Sequence, residues 1–148
     1  MTPAAKKGGI SLDMTKAQTM DNMPDNTRVL VAISDWKTRQ SSGGNETLHV
    51  EATVVKPETS GTKNRKLFDD INLSNEFTLG RLLTILKGLG YKEDDIRKKD
   101  FTLPEKDDVV GMQMTVIVGI RKDETGVYGD RNTMKRILPA AAFESAAY

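Results

Sequence analysis

His49 is the only histidine among 148 residues and cysteine is absent, which removes most of the side chains that nucleophilic and metal chemistry draw on. Disulfides, thiolate zinc sites and cysteine nucleophiles are excluded, and a Ser-His-Asp triad or histidine metal cluster has one place to start, in mid-strand. The carboxylate groups Asp69/Asp70, Glu93/Asp94/Asp95 and Asp107/Asp108 offer oxygen ligands. Neighbours on a strand point to opposite faces, however, so solvated surface is their expected role and a metal-dependent nuclease is the least supported class. No GxxxxGKS, GxxxxGKT or GxGxxG segment occurs; Gly88 and Gly90 end a helical pattern instead of opening one, the reverse of a phosphate cradle. No catalytic group, metal or cofactor is expected, and the chain is not read as an enzyme.

Basic and aromatic residues interleave in three places. Trp36 is followed by Lys37 and Arg39; Lys63, Arg65 and Lys66 precede Phe68; Arg121 and Lys122 precede Tyr128, Arg131, Lys135 and Arg136. Aromatic faces stack bases and Lys/Arg side chains neutralise phosphates, the two ingredients of binding to single-stranded nucleic acid without strong sequence preference. Core packing is the competing role for Trp36 and Phe68, and solvation of a sheet is the competing role for the cations.

The elements that must position these residues follow from periodicity. From Thr27, Val29, Val31 and Ile33 share one face while Arg28, Leu30, Ala32, Ser34 and Trp36 share the other, a strand of about ten residues. Ser42, Gly43 and Gly44 supply a turn, and a second strand from about Glu46 to Lys56 buries Leu48, Val50, Ala52 and Val54. A third runs from Asn64 to Leu73, with Leu67, Ile71 and Leu73 inward and Lys66, Phe68 and Asp70 outward. The period then switches: Leu79, Leu82, Leu83, Leu86 and Leu89 mark one amphipathic helix, with Ser74 or Asn75 as N-cap and Gly90 as stop. The acidic stretch Tyr91 to Asp108 reads as a helical turn around Asp94 to Lys99 and then a loop. Strands at Val109 to Lys122 and about Asn132 to Leu138 complete the order β-β-β-α-β-β, that of the oligonucleotide/oligosaccharide-binding barrel, the OB-fold. In such a barrel the ligand crosses strands two and three between the loops after strands one and four, where the three clusters fall.

The fold class is therefore mainly β with one helix, a five-stranded OB-fold-like barrel. It occupies residues 27–139, after an N-terminal arm over 1–26 and before an alanine-rich C-terminal tail over 140–148. In the arm, Ile10, Leu12 and Met14 alternate and could add a short strand. Hydrophobic residues make up 37% and charged residues 29% of the chain, with no apolar run near the ~20 residues of a membrane span and no secretory h-region, so a cytoplasmic protein is expected. The formal net charge of +1 means that any polyanion site must come from local segregation of charge.

The segments VAISDWKTRQSSGG, NRKLFDDINL, TLGRLLTILKGLG and VIVGIRKDETGVYGDRNTMKRILP, with SLDM near the start, resemble in order and spacing a family of short tailed-bacteriophage proteins. That family, long described as a domain of unknown function, is found among phage replication and recombination genes. Its members are regarded as OB-type single-stranded-DNA-binding proteins. The resemblance implies binding roles for Trp36, Lys37, Arg65, Lys66, Arg121, Lys122, Tyr128 and Lys135, and a place in the host cytoplasm. The ending AAAFESAAY holds one acid, Glu144, so recruitment of partners through an acidic tail is not expected. The function expected is non-catalytic binding of single-stranded DNA in phage replication or recombination, with phage recombination or replication proteins as further partners, no membrane, and homo-oligomerisation left open. The alternative is an OB-type interaction module that docks a recombinase, nuclease or replisome subunit.

Overall fold

Apolar side chains that alternate along most of the extended segments, and recur at helical spacing on one other segment, give a mainly β architecture. The computed structural model describes residues 9–15, 22–40, 42–59, 61–127 and 129–144. The strands are β1 (Arg28–Gln40), β2 (Glu46–Lys56), β3 (Lys66–Asn72), β4 (Gln113–Arg121) and β5 (Arg131–Pro139). Between β3 and β4 lie the helix α1 (Glu76–Gly88) and two single-turn helices, α2 (Glu93–Ile96) and α3 (Lys106–Val109); a 3-10 turn, Ala140–Glu144, follows β5. α2 falls where a helical turn was expected, whereas α3 replaces part of the expected loop. Its reciprocal Glu105/Asp108 capping box accounts for that.

All pairings are antiparallel and the strand order is β3-β2-β1-β4-β5. β1 is the shared strand: residues 28–32 pair with β4 and residues 30–40 with β2. One core collects Val29, Val31 and Ile33, the four predicted residues of β2, Leu67 and Ile71, Met114, Val116 and Val118, and Met134 and Ile137. α1 adds Leu82, Ile85, Leu86 and Leu89. Burial of such side chains stabilises by about 1.5–3 kcal/mol each.

α1 is capped as its sequence predicts. The Asn75 Oδ1 accepts the Phe77 N–H at 2.8 Å. At the other end, Gly90 at φ +108° lets its N–H reach the Lys87 carbonyl and the Tyr91 N–H the Leu86 carbonyl, a Schellman ending. The apolar stripe is rotated from the predicted one: Ile85 is buried and Leu79 is 39% exposed, because the helix is pressed onto β5 at Gly88.

Three expectations are corrected. The sheet does not close into a barrel: β3 and β5 are its two edges and share no ladder, although they lie beside each other. The Met134 carbonyl on the β5 edge accepts from the Arg81 guanidinium, whose Nε also donates to Asp69 Oδ2 at 2.6 Å, so a side chain from α1 spans the seam where backbone bonds would lie. The second correction concerns β1, whose alternation slips at a bulge between Ile33 and Asp35 and turns Trp36 into the core. The third concerns the arm. Residues 9–15 form no strand, and Ile10, Leu12 and Met14 are exposed without a partner edge.

The chain joins the core at Met23, which is buried and whose backbone N–H and carbonyl pair with the Asn132 side chain at 2.8 and 2.9 Å. Ala142 of the 3-10 turn is buried too, and the Ala140 carbonyl accepts from Thr115 Oγ1. Among the described residues, no helix is long and apolar enough to cross a membrane.

Candidate functional site

Outward positions of β1, β2 and β3 fall into cross-strand rows set by register. Lys37 lies opposite His49, and His49 opposite Asp70; Asp35 lies opposite Glu51, and Glu51 opposite Phe68; Thr53 lies opposite Lys66. Phe68, diagonal to His49, is 52% exposed and stacks on the imidazole with ring centroids 5.8 Å apart and planes at 29°. An aromatic face open to solvent on the outer side of a sheet is a platform for another flat ring.

The cations around this platform already meet carboxylates. Arg39 reaches Asp70 at 3.2 Å, Lys66 reaches Glu51 at 3.6 Å, and Lys37 reaches Asp35 at 3.7 Å. Asp35 also accepts from Lys106 at 3.1 Å; that hydrogen bond, against the opposing effect of desolvation, holds its carboxyl below the usual range. The cations of these pairs are about half exposed, so the pairs are weak and screened by salt, and an incoming phosphate can take over the cations at small cost.

The hairpin between β4 and β5 is arranged differently. Arg121 and Arg131 are directly opposed in register, a like-charge pairing that is destabilising unless an anion bridges it. With Lys122, Asp123, Glu124 and Gly129 they line a cleft. Among the described residues Arg121, Lys122 and Arg131 enter no ion pair. Two acids of the turn are engaged locally: Asp123 accepts from the N–H and hydroxyl of Thr125 and from the Gly129 N–H, and Asp130 accepts from the Asp123 N–H, while Glu124 lines the cleft.

The residues predicted from sequence therefore divide. Phe68, Lys37, Arg39 and Lys66 come together on the β1–β3 face. Lys63, exposed, and Arg65, half-buried, lie in the connection that enters β3. Arg121, Lys122 and Arg131 form the hairpin group. Lys135 turns to Asp25 at 3.6 Å and Asn26 at 2.8 Å. Arg136 stands opposite Ile117 and lines a separate cleft with Asn26, Arg28 and Phe143. Tyr128 lies outside the described residues.

Trp36 is no platform here: it is 2% exposed and its indole N–H donates to the Pro104 carbonyl at 2.8 Å. His49 has no binding role in the sequence reading. Its place between Leu48 and Val50 marks it as outward, but its contact with Phe68 depends on cross-strand register.

A scan of protein-family models gives no match to the chain, and a search of curated proteins gives none either.

Proposed function

We propose that this protein binds single-stranded DNA without catalysing a reaction on it, using the β1–β3 face as a stacking surface and the β4–β5 hairpin as a phosphate contact. The half-exposed Phe68 ring, set on a sheet face among Lys37, Arg39 and Lys66, is the observation that carries this reading. The strand adjacencies support an OB-like arrangement. β1 lies between β2 and β4, the outer pairs are β2–β3 and β4–β5, and α1 precedes β4; this is the order of an OB sheet before its edges join. On the resemblance of the four segments described above, the setting is replication and recombination of a tailed bacteriophage, in the host cytoplasm.

The test is fluorescence anisotropy of a labelled oligo-dT at low salt. Binding is expected, and it weakens as salt rises. Phe68→Ala removes one stacked base, about 1–3 kcal/mol, or roughly a 5- to 150-fold loss of affinity. Its circular dichroism spectrum should match the parent's, since the ring is outside the core. Absence of binding, or an unaltered Kd in Phe68→Ala, would overturn the proposal.

A second reading, docking of a recombinase, nuclease or replisome subunit, rests on a separate observation: Phe77 at the start of α1 is 93% exposed. It predicts that Phe77→Ser abolishes association with such a partner and that oligo-dT is not bound.

A further inference from the structure

His49 combines three features that a histidine merely filling a sheet surface does not need. Its Nδ1 is fixed by Asp70 at 2.8 Å, which sets the ring's orientation. Its ring lies against Phe68, the platform of the proposed site. Its Nε2 has no hydrogen-bond partner among the described residues, although the side chain is only 17% exposed. A ring so held, with one nitrogen uncommitted beside a stacking surface, is placed to meet the backbone of a strand whose base lies on that surface.

We infer that His49 is a ligand-contacting residue that offers Nε2 to a phosphate of the bound strand, and that the strand is held more tightly when the imidazole is protonated. The inference rests on the single-strand reading of this face.

The charges that face His49 determine the sign. Lys37 lies opposite on β1, Arg39 reaches over from β1 to Asp70, Asp70 lies opposite on β3, and Glu51 is two residues along β2. With Lys66 on Glu51 and Asp35 on Lys37, three cations and three carboxylates are paired on this face, so a proton on His49 adds a positive charge that they do not cancel. A neutral imidazole bonded to Asp70 through its Nδ1–H presents Nε2 as an acceptor, which a phosphate oxygen repels. The imidazolium presents an N–H donor in the same place. Linkage then requires that the bound strand hold the proton more firmly than the free protein does.

Anisotropy with oligo-dT at pH 7.0 and pH 5.5 reads the affinity. About twofold to threefold tighter binding is expected at the lower pH, because an imidazole titration displaced upward on adding DNA expresses only part of its full effect between these two pH values. Because the chain has one histidine, its ring C–H proton resonance reports that displacement without ambiguity, and His49→Gln should flatten the pH profile. Equal affinity at the two pH values, the same pH profile in His49→Gln, or a titration that ignores the oligonucleotide would overturn the inference and leave the proposed function standing. No binding at either pH would overturn both.

Discussion

Trp36 donates its indole N–H to the Pro104 carbonyl from inside the core, and it is there because β1 carries one extra residue. Strict alternation from Val29, Val31 and Ile33 would leave position 36 on the outer face. At the bulge, Ile33 still lies opposite Ala52 and Ser34 is skipped before Asp35 meets Glu51, while the Ile33 backbone bonds the Met112 carbonyl and the Gly111 N–H, at 2.9 Å each. Alternation then resumes one residue out of phase. The expected consequences are a blue-shifted tryptophan emission that neither acrylamide nor oligo-dT quenches, and a loss of about 3–5 kcal/mol in chemical denaturation of Trp36→Ala. Red-shifted, DNA-quenched emission would mean that the ring is outside after all. Phe68 presents the opposite case. Its neighbours Leu67 and Ile71 fix its phase within an uninterrupted strand, so its outward position was legible from the chain alone. What hid Trp36 is a non-local feature, the β1–β2 register in which Ser34 is skipped.

At the scale of elements, local signals were readable and long-range ones were not. The ends of α1 depend on Asn75 and Gly90, whose side-chain and backbone chemistry acts within one turn, and both signals are present in the sequence. Which stripe of α1 is buried depends on where β5 presses against it. At Gly88 a Cβ would stand 2.6 Å from Ile137 Cγ2 and 3.4 Å from the Leu138 carbonyl, so the glycine sets both the depth and the rotation of the helix. Alanine has the better helix propensity by about 1 kcal/mol, yet Gly88→Ala is expected to lower stability by about 1–3 kcal/mol, because Ile137 or the helix must move. Equilibrium urea unfolding decides it, and a stabilised variant would show that propensity outweighs packing here. The open seam has the same origin. Strand order is a matter of pattern, but whether β3 and β5 hydrogen-bond depends on one arginine of α1 that takes the Met134 carbonyl first.

For the molecule as a whole, a net charge of +1 conceals segregation rather than excluding a polyanion partner. In the region between α1 and β4, Glu93 and Asp95 are paired with neighbouring cations. Glu93, for example, accepts from Lys87 at 2.8 Å and from Arg97 at 2.7 Å, and those hydrogen bonds, Lys87's first, hold its carboxyl below the usual range. On the hairpin the balance is reversed: Asp123 and Asp130 are turned into their own loop, and Arg121 and Arg131 face each other across the ladder. If that arginine pair neutralises two phosphates of a single strand, the logarithm of the binding constant falls with the logarithm of salt concentration by about 0.7 per contact. Replacing both arginines with alanine should then flatten the slope by about 1.4, while Lys87→Ala, which breaks a pair on a distant element, should leave it unchanged. The hairpin should gain thermal stability at the same time, since a like-charge pair has been removed. An unaltered slope in the double variant would place the phosphate contacts elsewhere. A loss of slope in Lys87→Ala would show that the strand is attracted by overall charge, not by the two arginines.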